Sequence, residues 1–225
     1  MLSLALPKRC VHCDALACGN SGSVAHYLCT NCAAQFTALV PPDPDGIRER
    51  AGGIESVQHF GTMQSRCFFT TDSIVQSLVH AFKYSHMPRL ARTLGIESTR
   101  YHAHHVDLVI PVPLHRARQF ERGYNQSEEF ARGIAALIGA PVIPSNYLRR
   151  IRPTMSQTTL TIDERLQNVR GAFELSQRGR DVILGKRVLL VDDVLTTGST
   201  VGEVASTLLT ARPQSLDLAV FASVV

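Results

Sequence analysis

The stretch GKRVLLVDDVLTTGST, Gly185 to Thr200, constrains this chain more than any other. Four consecutive apolar residues, Val188 to Val191, suit a strand buried on both faces, the kind found inside a parallel sheet. Two adjacent carboxylates follow, Asp192 and Asp193, and then a loop that gives up bulk for hydroxyls around a single glycine. Val201, Val204, Ala205, Leu208 and Leu209 then repeat at helical spacing. A strand, a polar glycine-bearing loop and a helix in that order form half of a β/α unit, with the loop at the carboxyl end of the strand, where open α/β sheets bind ligands.

The rest of the chain keeps that alternation. DSIVQSLVHAFKY predicts a helix capped by Asp72 or Ser73, with Ile74, Val75, Leu78, Val79 and Phe82 on one face. VDLVIPVP, from Val106 to Pro113, reads as a second buried strand. Phe130, Ala131, Ile134, Leu137 and Ile138 mark another helix, and SLDLAVFASVV closes with a β-favouring run. The expected class is α/β, with a mainly parallel sheet and helices on both faces. A hydrophobic content of 44% over 225 residues is ample for such a core.

The first forty residues follow different rules. Cys10 and Cys13 form one C-x-x-C, Cys29 and Cys32 a second, with fifteen residues between them. That spacing predicts a four-thiolate zinc ribbon, a closed structural site with no open position for catalysis. Two redox-active or buried thiol pairs are the competing reading, and Cys18 and Cys67 are further thiols that could join a metal site. Residues 1–40 are therefore expected to form a zinc-ribbon module and 67–225 the main domain. Between them 41–66, rich in Pro, Gly and charge, reads as a linker. No segment approaches membrane-spanning length, and MLSLALPKR reverses the order of a secretory signal. A cytoplasmic protein with reduced cysteines and no membrane insertion is the expectation.

The glycine loop needs testing against commoner phosphate binders. No G-x-G-x-x-G follows any predicted strand. GRDVILGKR only approaches a Walker A: five residues separate Gly179 from Gly185, and Arg187 stands where a hydroxyl should hold Mg²⁺. What remains is a phosphate loop without a lysine. Backbone amides around Gly198 and the hydroxyls of Thr196, Thr197, Ser199 and Thr200 can converge on one phosphate at a helix start. Asp192 and Asp193 would repel that phosphate and suit the vicinal hydroxyls of a ribose instead. Together they describe a ribose 5-phosphate. An N-capped helix after an acidic turn explains Ser199 but not the paired aspartates.

VLLVDDVLTTGST resembles the phosphoribosyl-diphosphate (PRPP) motif of type I phosphoribosyltransferases. A second polar loop, PVPLHRARQFERGYNQ, carries Arg116, Arg118 and Arg122 within seven residues, a clamp suited to a second polyanion such as a diphosphate, with Asn125 to Ser127 able to cap the next helix. An ordinary solvated basic loop is the rival reading on charge alone. PVPL, R-x-R and RG-Y-NQ, together with HAFKY, LRRIRPTMSQTTLTIDERLQNVRGAF and the N-terminal cysteine pairs, resemble the ComF family of competence-associated phosphoribosyltransferase-like proteins.

The resemblance implies that Asp192 and Asp193 hold ribose hydroxyls, Thr196 to Thr200 (with Gly198) the 5-phosphate, and Leu114 to Arg118, including His115, the diphosphate. Lys83 and Tyr84 would face the site, Mg²⁺ would ride on the ligand, and 152–165 would form a mobile lid. The pattern departs from many family members in lacking two further C-x-x-C pairs, of which only Cys67 remains, and in placing Thr71 where an aromatic residue is expected. Two functions follow: a Mg²⁺-dependent phosphoribosyltransferase of unknown acceptor, or a PRPP-sensing or single-stranded-DNA-handling competence factor, with a homodimer allowed in either case. For the second, Arg149, Arg150 and Arg152 join the loop arginines as backbone contacts, with Phe120, Tyr124 and Tyr147 to stack bases. A glutamine amidotransferase would need a nucleophile at a processed N-terminus, which MLSLALPKRC does not supply.

Overall fold

The computed structural model describes residues 8–17, 19, 22–51, 55–98, 106–153 and 167–224. Its centre is a four-stranded sheet of β1 (Met63–Phe69), β2 (Leu108–Pro111), β5 (Arg187–Leu195) and β6 (Ser215–Val224) in the order β1-β6-β5-β2, every pair parallel. Beyond β2, Val109 makes a further parallel bridge to Val142. A separate antiparallel hairpin joins β3 (Leu148–Arg150) to β4 (Phe173–Leu175).

Period-2 alternation along β5 explains why both faces are covered. Val188 and Leu190 pack with Ile183 of α7 (Gln177–Ile183) and with Val201, Val204, Ala205 and Leu208 of α8 (Ser199–Leu209). Leu189 and Val191 pack on the other side with residues of α3 (Ile74–Tyr84), α4 (Pro88–Glu97) and α6 (Gln126–Ile138), including Phe82, Leu90 and Phe130. Each fully buried side chain of this kind contributes roughly 1.5–3 kcal/mol. Helix α3 starts where expected, with the Ser73 hydroxyl accepting from the Gln76 amide. Helix α6 buries Phe130, Ala131 and Ile134, whereas Leu137 is 44% exposed and drops out of the expected apolar face. Where α4 crosses α6, Gly95 and Gly133 meet. A Cβ on Gly133 would lie 2.2 Å from the Arg92 carbonyl oxygen, so the crossing requires glycine.

The expectation of an exposed linker over 41–66 gives way to packed structure. This stretch holds α2 (Pro44–Ala51), a 3-10 turn at Glu55–His59 and the start of β1, and it buries Ile47, Val57, Phe60 and Met63 in the core shared with α8. Four apolar anchors scattered among prolines and charges carry no periodicity, which hides them from pattern reading. The cysteine-bearing segment is likewise docked. Cys10, Val24, Leu28, Cys32 and Phe36, the last two on α1 (Thr30–Thr37), belong to the core on the α3 side, and the Phe36 ring lies 6.3 Å from that of Phe221 on β6.

At the start of β2, the Arg187 guanidinium forks onto Asp107, its NH2 nitrogen donating to Oδ1 at 2.8 Å and Nε to Oδ2 at 3.0 Å. That fork holds the Asp107 carboxyl well below the usual range and pins the register of β2 on β5. The chain leaves β2 outward, towards α6 and Val142, and leaves β5 the other way, through α8 to β6. The carboxyl ends of β2 and β5 therefore flank a topological switch point, where such sheets open a crevice.

Candidate functional site

A cleft of about 420 Å³ lies at that switch point. It brings together residues far apart in sequence: Lys83 and Tyr84 from the end of α3, Leu114 and His115 after β2, Arg118 and Arg122 on α5 (Arg116–Arg122), Asn125 to Ser127 at the start of α6, and Asp192 to Thr196, Gly198 and Thr200. Tyr124 ties α3 to the loop after β2, its hydroxyl donating to the Phe82 carbonyl oxygen, and burial pushes that phenol up to about 12.

The paired aspartates are not at a strand end as expected. β5 runs on through Leu195, with Asp192 opposite Val220 and Val194 opposite Ala222. Alternation then points the two carboxylates in different directions, which separates their partners. Asp192 Oδ1 accepts from the Ser127 hydroxyl at 2.8 Å and from the Asp193 amide at 2.9 Å. Asp193 is 6% exposed; its Oδ1 accepts from the Val194 amide at 2.6 Å and its Oδ2 lies 3.1 Å from Lys83 Nζ. Burial, and then the charge of Asp193, push the Asp192 carboxyl up to about 7. One acid is thus neutralised by a lysine, while the other sits near its titration point at the cleft wall.

Gly198 adopts φ 83°, a left-handed conformation that glycine accepts without strain, and it caps α8. The Thr197 and Ser199 hydroxyls bond one another at 2.7 Å, and Ser199 is 2% exposed. These two brace the loop, while Thr196, Gly198 and Thr200 face the cleft. Among the loop arginines, Arg118 and Arg122 line it, Arg122 lying 5.3 Å from the centre of the Tyr84 ring, while Arg116 lines a neighbouring cleft with Gln119, Asn146 and Arg149. Three contributors escaped the sequence reading as site residues. Ser127 was read as a cap only. Gln126, 5% exposed, has a buried Oε1 without a hydrogen-bond partner at the cleft wall. Arg150 had been grouped with nucleic-acid contacts, yet it lines the cleft. The proposed lid at 152–165 lies outside the described residues from 154 onward.

The four cysteines of the two pairs converge, their sulfur atoms all within 4.8 Å of one another. Cys13 Sγ lies 3.6 Å from that of Cys29 and 3.7 Å from that of Cys32. Four thiolates about 2.3 Å from one zinc ion form a tetrahedron with edges of about 3.8 Å, so the donor set fits a structural zinc ion. Cys67 is not part of it. It sits on β1, donates to the Phe221 carbonyl oxygen at 3.2 Å, and burial pushes its thiol up to about 12. Cys18 lies outside the described residues.

A parallel α/β sheet with a hydroxyl-and-glycine loop after an aspartate pair, both at a switch-point crevice, defines an α/β domain of the open-sheet class. The chain belongs to the phosphoribosyl transferase domain family, which it matches over residues 103–224. It is homologous to Competence protein F of Haemophilus influenzae, 28% identical over 89% of this chain and 90% of that protein. DNA utilization protein YhgH of Salmonella typhi is 37% identical, over 46% of this chain and 43% of its own length. YhgH of Escherichia coli K12 is 31% identical, over 59% and 60%. The chain thus spans less than two thirds of these YhgH proteins. A solved structure of the allosteric regulatory enzyme of purine biosynthesis superposes with a TM-score of 0.42 at 22% identity, over 63% of this chain and 30% of that one.

Proposed function

We propose that the chain binds PRPP with Mg²⁺ and transfers the phosphoribosyl group to an acceptor. The observation that carries this is one cleft holding acids suited to a diol, a hydroxyl-and-amide loop suited to a phosphate, and arginines suited to a diphosphate. In this reading Asp192 and Asp193 receive the ribose hydroxyls, with Lys83 Nζ 3.1 Å from the Asp193 carboxylate. Thr196, Gly198, Thr200 and the first amides of α8 hold the 5-phosphate. Arg118 and Arg122, with Leu114 and His115 beside them, hold the diphosphate.

The C1–oxygen bond to diphosphate breaks as the acceptor's lone pair forms the new bond at C1. Positive charge develops on the ribose ring and negative charge on the departing diphosphate. Arginines fixed in the cleft stabilise that negative charge as it grows, the electrostatic term that dominates such reactions. Mg²⁺ bound together with PRPP would supply further neutralising charge beside the diphosphate. Calorimetric titration tests the reading: PRPP should bind with Mg²⁺, and Asp192→Ala with Asp193→Ala should abolish binding. Undiminished binding by that variant, or none by the wild type, sinks it. Release of diphosphate against candidate acceptors tests turnover.

A second reading is supported by the names of the relatives and by the neighbouring cleft. There Arg116 and Arg149 line one cleft, and Phe120, one helical turn along α5 from Arg116, is 92% exposed. In it the protein keeps PRPP as a sensed ligand and handles single-stranded DNA in the cytoplasm, with Arg116, Arg149 and Phe120 as backbone and stacking contacts. DNA binding lost in Arg116→Ala with Phe120→Ala, and no diphosphate release with any acceptor, would favour it over transfer.

A further inference from the structure

The hairpin β3–β4 pairs Leu148 with Leu175, Arg149 with Glu174 and Arg150 with Phe173. Side chains alternate along a strand, so Leu148 and Arg150 share one face and Arg149 takes the other. The shared face is the inward one: Leu148 is 2% exposed, and opposite it Phe173 and Leu175 are 7% and 5% exposed. Arg149 goes outward, where its guanidinium donates to Glu174 Oε2 at 3.1 Å. Arg150 is therefore a cation on the inward, otherwise apolar face of a three-residue strand. Its guanidinium lies 5.4 Å from the centre of the Phe173 ring, and the Ile151 amide, donating to Ala172 O at 2.8 Å, fixes the strand end beside it.

That places a guanidinium among the residues that line the main cleft. Burial lowers the Arg150 pKa; among the charges acting on it, Asp192 favours the cation and Arg118 opposes it. Arg118 and Arg150 reach the same cleft from different elements, α5 and β3. Arg118 is held on its own helix by an exposed pair with Glu121 at 3.7 Å, so both guanidinium groups can meet an anion of several charges in the cleft. Arginine suits that task better than lysine because its planar fork meets two oxygens at once.

We propose that Arg150 is a direct ligand of the diphosphate end of PRPP, forming with Arg118 a two-arginine clamp across the cleft. The naming of the anion rests on the PRPP reading above; the clamp's preference for a polyanion does not. Nothing in the run LRRIRP separates Arg150 from its neighbours, since three arginines in four residues look alike until the hairpin register sends one of them inward.

The test is calorimetry with three probes, PRPP, ribose 5-phosphate and inorganic diphosphate, each with Mg²⁺, on the wild type, Arg150→Gln and Arg150→Lys. Arg150→Gln should weaken PRPP and inorganic diphosphate by about tenfold to a hundredfold, the range for a lost charge-assisted hydrogen bond, and leave ribose 5-phosphate within about twofold. Arg150→Lys should recover only part, because charge returns without the fork. Asp192→Ala should show the reverse, losing ribose 5-phosphate and keeping diphosphate. A purely structural Arg150 would lower all three affinities together in the Gln variant, and that result overturns the clamp. So does a Gln variant that binds all three like the wild type, or a wild type that binds none. Diphosphate binding that depends on Arg150, with no binding of PRPP, would overturn the PRPP reading and leave the clamp standing.

Discussion

Replacing Asp192 by Asn should make the protein more stable and a poorer ligand binder, with a pH signature that identifies the cause. The Asp192 carboxyl rises from 3.8 to about 7 because burial and the Asp193 charge disfavour its ionised form. Between those values the folded state holds a proton that the unfolded state has released. Wild-type stability from this group is complete below about pH 4, falls as pH rises, and reaches its full loss above about pH 7. Three pKa units correspond to about 4 kcal/mol. Asp192 is only partly shielded at the cleft wall, so screening reduces this to about 2 kcal/mol. Asn keeps an oxygen to accept from Ser127 and carries no charge at any pH. The expected gain is therefore near zero at pH 4 and about 2 kcal/mol at pH 8, roughly 4–8 °C in Tm for a chain of this size. Thermal unfolding of both proteins from pH 4 to 8 reads it directly. A Tm difference that is flat with pH, or a variant less stable than the wild type at pH 8, would refute the electrostatic argument. The same variant should lose most of its PRPP affinity, since the amide cannot accept from the diol as a charged group does.

Other parts of the molecule can be tested separately. Lys83→Met removes the cation 3.1 Å from Asp193 and should cost about 2–3 kcal/mol in urea unfolding at pH 8, less than a fully buried pair because Lys83 is 19% exposed. Gly133→Ala places a methyl group 2.2 Å from the Arg92 carbonyl oxygen, so α4 and α6 must separate; a loss of about 3 kcal/mol or failure to accumulate as folded protein is expected. If Gly133→Ala matched the wild type, the close helix crossing would be refuted. Metal analysis should find one zinc ion per chain and none in Cys29→Ser, with a lowered Tm in that variant, because the ribbon packs against Phe221 through Phe36. Full zinc content in Cys29→Ser would remove it from the ligand set.

The parallel class of the sheet was legible because period and composition report it locally. Val188 to Val191 have no polar face to show, and that can only mean burial on both sides. The two C-x-x-C pairs were legible for a similar reason, since the spacing of metal ligands is dictated by the ion and not by the rest of the fold. The aspartate pair and the TTGST loop stood out together in the sequence, and the fold brings both to the wall of one cleft. In contrast, the core anchors Ile47, Val57, Phe60 and Met63 were hidden in a stretch whose prolines and glycines suggest a linker. Their burial depends on a surface supplied by α8, some 150 residues later.

The arginines mark the same boundary more sharply. By itself the sequence determined that cations gather around Arg116 to Arg122 and Arg149 to Arg152, because charge is a property of each residue. Which of them enters the main cleft was decided by tertiary structure alone. Helix α5 turns Arg118 and Arg122 to the main cleft and Arg116 to its neighbour, and the hairpin register sends Arg150 inward and Arg149 out to Glu174. The same holds for the aspartates: their adjacency is sequence, but their different chemistry comes from Lys83 on α3 and Ser127 on α6, brought to β5 by folding. Direction and environment are long-range quantities, fixed by register and packing, and a local pattern of residues does not contain them.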